Sequence, residues 1–426
     1  YNVVDRIYIG HMPEVGRVAL TGVGLCLPIV TLITAFTMLI AQGGAPRAAI
    51  AMGEGNNERA QEIMGSCFTS LVAAAVVLTA AFWLWGEPLL WIFGCSEETI
   101  IYALPYMRIY SSGSFFVMMA VGMNLFVTTQ GFTSFSMRTV LIGAICNIIL
   151  DPIFIYVLGL GVQGAALATV ISQAVSGLWV LWFLTGKTTR LRLQRRYLRP
   201  KLEIMLPVLA LGLAPFIMQA TEALLNISFN SSLQRYGGDL AVGAMTVAST
   251  VMQIVWIPTQ GLGQGAQPII SYNYGARNPD RVRAAFKALL GVSMTVMLTF
   301  WALVQLFPQV FIRIFNSDPE LLETAVWTLR VYTAVVGLFG IQMAVQQTFT
   351  AIGKAKAALF IACLRKVILL IPLIFILPHF FENKVFAVFL AEPVSDFISV
   401  TAAAITFYFV FRPAMKELEA PPEGEI

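Results

Sequence analysis

The segment GGAPRAAIAMGEGNNERA, residues 43–60, recurs later in the chain as GAQPIISYNYGARNPDRV, residues 265–282. The two segments share Gly, Pro, Gly, Asn and Arg at five matching positions, each pair 222 residues apart. The same offset relates further identical pairs: Ile92 and Ile314, Phe93 and Phe315, Arg108 and Arg330, Tyr110 and Tyr332, Thr128 and Thr350, Gly131 and Gly353. Because these identities extend over roughly 90 residues, they indicate an internal duplication of the kind found in transporter folds.

The composition is that of a membrane protein. Of 426 residues, 58% are hydrophobic and only 12% are charged, whereas soluble domains have about a quarter charged residues. Apolar runs of about 20 residues, enough to cross a bilayer core, recur along the whole chain. The sequence therefore predicts an all-α polytopic protein with twelve transmembrane helices at 1–10, 20–45, 60–85, 99–130, 134–158, 163–186, 203–233, 240–273, 282–307, 320–352, 356–377 and 385–411.

The duplication divides these helices into two six-helix lobes of the same topology, related by a pseudo-twofold axis along the membrane normal. The predicted lobes are 1–186, with its first helix truncated at the start, and 203–412. A basic cytoplasmic linker, 187–202, joins them, and a disordered acidic tail, 413–426, follows.

The distribution of basic residues predicts the orientation. Most loop Lys and Arg residues, with Arg365 and Lys366 counted among them, fall on the side of the linker. By the positive-inside rule that side faces the cytoplasm. An even number of helices then places both termini in the cytoplasm of a cell whose plasma membrane the protein spans.

Motifs of other protein classes are missing from the sequence. It contains no GxxxxGK[ST] nucleotide-binding motif, no CxxC pair and no metal-binding spacing of its two histidines. We therefore expect no cofactor and no nucleic-acid partner. An enzyme is the least favoured class, because no nucleophile and base stand out together.

Polar residues in the fifth and sixth predicted helices point to an ion site. Asn147 and Asp151 are four residues apart and share one helix face. The turn of the hairpin centres on Leu160, so Asp151 and Thr169, each nine residues from it, lie at one depth. Asp5 lies at a similar depth near the outer end of helix 1. We therefore expect Asp5, Asn147, Asp151 and Thr169 to converge.

These four side chains offer hard oxygen ligands, which suit a small cation. Two carboxylates close together in a medium of low dielectric constant cannot both stay charged cheaply, so the pair should bind a proton or a cation. The predicted metal or coupling site therefore takes Na⁺ or H⁺. The alternative is that these residues only form hydrogen bonds between helices.

A second predicted set lies in the other half. Glu222 sits in the middle of helix 7, where it could bind a proton or attract cationic substrates, or simply form an interhelical hydrogen bond. Helix 8 contains Met252, Gln253 and Trp256, a combination of adaptable, polar and aromatic side chains that would suit the wall of a substrate cavity. A stripe of such residues is more often plain packing.

Three stretches resemble the multidrug and toxic compound extrusion (MATE) family, in particular its bacterial and archaeal drug-exporter branch. They are YNVVDRIYIG at 1–10, the two repeated segments, and CNIILDPIFIYVLGLGVQGAALATVISQ at 146–173. The resemblance covers nearly the whole chain. It implies a V-shaped, two-lobed cation antiporter, and it implies that Asp5, Asn147, Asp151 and Thr169 form the coupling site with Asn124 nearby.

The leading hypothesis is therefore a monomeric exporter of small cationic or amphipathic compounds, coupled to Na⁺ or H⁺. A flippase for lipid-linked oligosaccharides is an alternative with similar architecture. Such a flippase should line its central cavity with several cationic residues. Predicted helices 1, 2, 7 and 8 contain only Arg6 of this kind, which makes a flippase less favoured. A non-transporting membrane receptor or scaffold is a further alternative, disfavoured by the one-sided carboxylate site.

Overall fold

The structure, a computed structural model, describes Asp5, Tyr8, Ile9, Met12 and residues 16–313 and 319–420. These residues are almost entirely helical, and no β-strand occurs among them. The predicted all-α fold class is confirmed. The chain folds into two compact units, Tyr1–Ala51 with Asn56–Gln219, and Met52–Gly55 with Ala220–Ile426.

The first unit is built from eight helices and the beginning of a ninth. They are α1 (Gly16–Leu25), α2 (Leu27–Gly53), α3 (Asn57–Ile92), α4 (Glu97–Ser112), α5 (Ser114–Met118), α6 (Asn124–Thr129), α7 (Thr133–Pro152), α8 (Gly161–Thr185) and the start of α9 (Leu202–Gly275). Two π-helical turns are inserted, Met119–Met123 between α5 and α6 and Ile153–Val157 after α7.

The second unit contains the rest of α9 and seven further helices. They are α10 (Pro279–Leu306), α11 (Pro308–Arg313), α12 (Pro319–Tyr332), α13 (Phe339–Ala351), α14 (Ala355–Cys363), α15 (Ile371–Ile376) and α16 (Lys384–Glu419). A π-helical segment, Leu364–Leu370, joins α14 to α15.

Nine helices among the described residues are long and apolar enough to cross a membrane, and a tenth span results if α4 and the bent segment 114–129 count together. One of the nine, α9, has 74 residues, which at about 1.5 Å per residue far exceeds a bilayer core of about 30 Å. At Gly238 the φ of 63° is non-helical, so two segments meet there. Counting α9 as two spans and the bent pair as one, the described residues provide eleven spans. The predicted first helix, 1–10, lies mostly outside the described residues. The twelve-helix layout fits this pattern.

The start of α9 packs closely on α2 within the first unit. A Cβ atom added to Gly43 would collide with the carbonyl oxygen of Val208, and one added to Gly212 would collide with that of Leu39. Small residues allow two helix backbones to approach in this way. This packing explains why residues up to Gln219 group with the first unit, so that the division falls within α9 and not in the linker predicted at 187–202.

The linker itself is ordered against α3. Arg196 forms an ion pair of 2.6 Å with Glu58, and Lys201 forms one of 2.5 Å with Glu62. The end of the chain also differs from expectation, because α16 continues to Glu419. Residues 413–419 are therefore helical, although they were predicted as part of a disordered tail, and 421–426 lie outside the described residues.

The duplicated positions perform the same structural work in both units. Asn56 accepts a hydrogen bond from the Arg59 backbone N–H (2.9 Å) and caps α3, and Asn278 accepts one from the Arg281 N–H (3.2 Å) and caps α10. Gly131 and Gly353, also 222 residues apart, both adopt positive φ, of 89° and 73°. The repeated Asn and Gly residues therefore lie at helix boundaries in both units.

Replacing either capping residue, by Asn56→Ala or Asn278→Ala, is expected to lower the free energy of unfolding by about 1 kcal/mol, because a helix N–H loses its acceptor. Thermal unfolding of the purified protein in detergent measures the change. Asn57→Ala, which removes an exposed amide one residue along, is the matched control. A loss in the control equal to that in Asn56→Ala would contradict the capping role.

Candidate functional site

The structure brings together the four polar residues predicted to converge in the first unit. Asn147 Nδ2 donates to Asp5 Oδ1 (3.1 Å), to Asp151 Oδ1 (3.0 Å) and, at 3.4 Å, to Thr169 Oγ1. The Thr169 hydroxyl in turn donates to Asp5 Oδ2 over 2.7 Å. All four side chains are buried. We call this group the first-unit acid cluster.

The α7–α8 hairpin sets the geometry of this cluster. Asn147 and Asp151 lie one turn apart on α7, and Thr169 lies on the facing side of α8. The hairpin reverses through Gly159 and Gly161, whose φ values of 66° and 55° suit glycine. After Pro152 the helix continues as the π-helical turn Ile153–Val157 and does not end there. Such turns occur frequently at functional sites.

The cluster has two carboxylates and no cation of its own among the described residues, since no ion pair to Asp5 or Asp151 occurs there. A single amide group, Asn147 Nδ2, bridges the two acids. Asn147 Oδ1 and Asp151 Oδ2 are buried and accept no hydrogen bond within the described part of the chain. Buried acceptors without donors are costly, so these two oxygen atoms suit a small hard cation or, at the carboxylate, a proton.

Tyr106 is a member of this site that the sequence did not reveal. Its hydroxyl donates to Asp5 Oδ2 at 3.5 Å, and its buried ring stacks on Tyr110, with centroids 6.2 Å apart. The two tyrosines are four residues apart on α4, which places them on one face. That spacing was visible in the sequence, but buried tyrosines at helical spacing are usually packing residues.

Asn124 occupies a separate place in the first unit. It is buried, and its Nδ2 donates to the backbone carbonyl of Ser136 at 3.3 Å. Across the described residues no hydrogen bond joins Asn124 to the first-unit acid cluster. Its structural contact is thus with the start of α7.

In the second unit the predicted residues differ in their surroundings. Glu222 is half-exposed and forms an ion pair with Lys366. Met252 is buried in the apolar core, and Gln253 is exposed. Trp256 packs edge-on against Phe339, with ring centroids 4.7 Å apart.

Two basic residues assigned to a cytoplasmic loop are in fact buried within the second unit. Arg365 and Lys366 lie in the π-helical segment Leu364–Leu370 and are 6% and 7% exposed. The Arg365 guanidinium donates through Nε to Asp396 and through an Nη atom to Glu392, each over 2.7 Å. Both acids lie within α16. Arg365, Lys366, Glu222, Glu392 and Asp396 form what we call the second-unit charge cluster.

Comparison with known proteins places this architecture in a family. The family model MatE matches residues 1–153 and 215–376 of the chain. The protein belongs to the MatE family. Membership confirms the resemblance seen in the sequence and the membrane-embedded, two-lobed helical layout that it implied.

Curated relatives of this MatE protein are named multidrug export proteins. MepA of Staphylococcus haemolyticus (strain JCSC1435) is 25% identical over 405 residues, 94% of this chain and 88% of the relative. MepA of Staphylococcus aureus (strain NCTC 8325 / PS 47) is 22% identical over 381 residues, 89% of this chain and 83% of the relative. These names describe transporters and not enzymes.

Solved structures share the fold. The MATE multidrug transporter DinF-BH in complex with R6G is 32% identical, with a TM-score of 0.88, and the match covers 98% of this chain and 92% of that one. A MOP superfamily transporter from Pyrococcus furiosus is 23% identical with a TM-score of 0.89, covering 99% and 92%. The second likeness concerns the fold alone.

Proposed function

We propose that this MatE protein exports small cationic or amphipathic compounds across the plasma membrane in antiport with Na⁺ or H⁺. The observation that carries the proposal is the first-unit acid cluster, in which two buried carboxylates share one amide donor. The names of the relatives support the substrate class, since MepA is a multidrug export protein and DinF-BH a multidrug transporter with bound R6G.

The coupling step follows from the charge of the cluster. Without a bound cation or proton, Asp5 and Asp151 repel each other across the Asn147 amide, in a site from which water is largely excluded. A cation would take its ligands from the free oxygen atoms Asn147 Oδ1 and Asp151 Oδ2. A proton on either carboxylate would relieve the same repulsion. Either ion changes how strongly Asp5 is held to α7 and α8.

Antiport requires that this change oppose substrate binding. In an alternating-access cycle the ion binds while the substrate site faces outward, which favours release of the substrate. The ion leaves after the protein has turned inward, where substrate binds again. Because linkage between two sites is reciprocal, substrate binding must weaken ion binding by the same factor. The protein is proposed to work as a monomer with both termini in the cytoplasm.

Ethidium efflux from proteoliposomes containing the purified protein tests the proposal. Imposing an inward Na⁺ gradient and an inward proton gradient separately should show acceleration by one of them, because only a bound ion releases the repulsion in the acid cluster. Liposomes with the protein but with both gradients collapsed are the control. Efflux indifferent to both gradients would refute antiport. Scrambling of a labelled lipid without any gradient would point to the flippase alternative instead.

A further inference from the structure

The ion pair between Lys366 and Glu222 is unequal in its surroundings. The lysine side chain is 9% exposed, whereas the glutamate side chain is 57% exposed. The carboxylate is therefore accessible to a molecule from outside the unit, while the ammonium group approaches it from the protein interior. An organic cation that reached Glu222 would compete with a cation supplied by the protein itself.

The charges around Lys366 come from several elements. Glu222 faces it from α9, and Arg365 precedes it on the same π-helical segment. Glu392 and Asp396 of α16 are paired to Arg365, and the buried Tyr332 of α12 lies in the same electrostatic environment. When all are ionised, the second-unit charge cluster has two positive and three negative groups. Arg365 is fully engaged by its two carboxylates and by the ring of Phe339, 4.6 Å away.

We propose that the second unit contains a cation–proton exchange site in which an organic cation replaces Lys366 as the partner of Glu222 and Lys366 releases a proton. The released proton comes from the ammonium group: one N–H bond breaks, the electron pair stays on Nζ, and the proton passes to water. One positive charge enters the cluster and one leaves, so its net charge is unchanged.

The physical reason for proton release is the burial of the lysine. An ammonium group deprived of its carboxylate in such a place faces a large desolvation cost, and a buried lysine then becomes neutral. Arg365 could not act in this way, because arginine does not lose its proton in proteins. Of the two adjacent basic residues, Arg365 and Lys366, only the lysine can therefore give up its positive charge.

This inference rests on the proposed export of organic cations, but it concerns a different unit from the acid cluster. Calorimetric titration of the full-length protein in detergent with ethidium, in two buffers of unequal ionisation enthalpy at one near-neutral pH, counts the protons released. The wild type should release about one proton more per bound ethidium than a variant without Lys366.

Three variants separate exchange from a structural ion pair. In Lys366→Met, ethidium should bind about tenfold more tightly, because Glu222 no longer has an internal competitor, and about one proton fewer should be released per bound ethidium than in the wild type. In Lys366→Arg the competing guanidinium stays positively charged, so ethidium binding should weaken and proton release should fall to the level of Lys366→Met. Glu222→Gln should weaken binding by removing the carboxylate. Lys356→Met, an exposed lysine on α14, is the matched control and should behave as the wild type.

A purely structural pair predicts a different pattern: Lys366→Met would weaken binding, and Lys366→Arg would keep it at the wild-type level. That result, or a proton release in Lys366→Met equal to that of the wild type, would overturn the exchange site. If ethidium binds and is exported but releases no proton, this inference fails while the proposed function stands. If the wild type does not bind ethidium at all, the proposed substrate class fails and the exchange site with it.

Discussion

Replacing Asp5 with asparagine is expected to abolish the effect of the coupling ion on substrate binding. In the wild type we expect the ion to change the ethidium dissociation constant by about 5- to 150-fold, the usual range for linked sites. In Asp5→Asn the same ion should leave that constant nearly unchanged. Ethidium efflux from proteoliposomes should in turn lose its response to the gradient.

The expectation follows from the contacts of Asp5. Its two carboxylate oxygens accept from Asn147 Nδ2 and from the Thr169 hydroxyl. An asparagine of the same shape keeps an oxygen for one of these donors, so the packing should survive. It removes one of the two buried charges, however, and with it the repulsion that a cation or proton relieves. The variant thus separates the charge of the cluster from its structure.

The measurement is ethidium binding, followed by fluorescence with and without Na⁺ and at two pH values. Asp151→Asn should behave like Asp5→Asn, since either change leaves a single carboxylate. Glu87→Gln removes an exposed acid from α3 of the same unit and should leave the coupling intact. Full coupling in both Asp5→Asn and Asp151→Asn would exclude the acid cluster as the ion site.

Much of this site was accessible from the sequence because helical geometry is regular. Asn147 and Asp151 share a face by their spacing, and the depth of Thr169 follows from counting outward from the hairpin turn. The repeat likewise indicated two helical units, since its Asn and Gly identities mark helix boundaries in both. Helical spacing was sufficient to predict the site residues, and comparison of the two halves of the sequence was sufficient to predict the two units.

Other features depend on contacts that no local rule specifies. Arg365 and Lys366 follow Lys354 and Lys356 in the sequence, so the distribution of charge predicts a loop position for them, although their partners lie on α9 and α16. A buried arginine is recognisable only when its acids are known to face it. Tyr106 reaches Asp5 across 101 positions of sequence for the same reason. Whether such residues are buried depends on partners that are distant in the sequence, and helix propensity does not specify those partners.

The largest expected loss of stability comes from Arg365→Met. Its guanidinium engages Glu392 and Asp396 at 2.7 Å each, and the side chains of these acids are only 8% and 2% exposed. Removing the arginine leaves two carboxylates buried without a cation. Breaking a buried ion pair from one side costs about 3–5 kcal/mol, mostly because the remaining charge is stranded. Thermal or denaturant unfolding in detergent should show a loss of that order.

The source of the loss can be tested by removing the stranded charges as well. The triple variant Arg365→Met, Glu392→Gln, Asp396→Asn should regain much of the stability, because no buried ion then lacks a partner. Arg281→Met, which removes an exposed arginine at the start of α10, should change stability little. If Arg365→Met were as stable as that control, the pairing with α16 could not hold the π-helical segment in place, and the position of Lys366 beside Glu222 would need another cause.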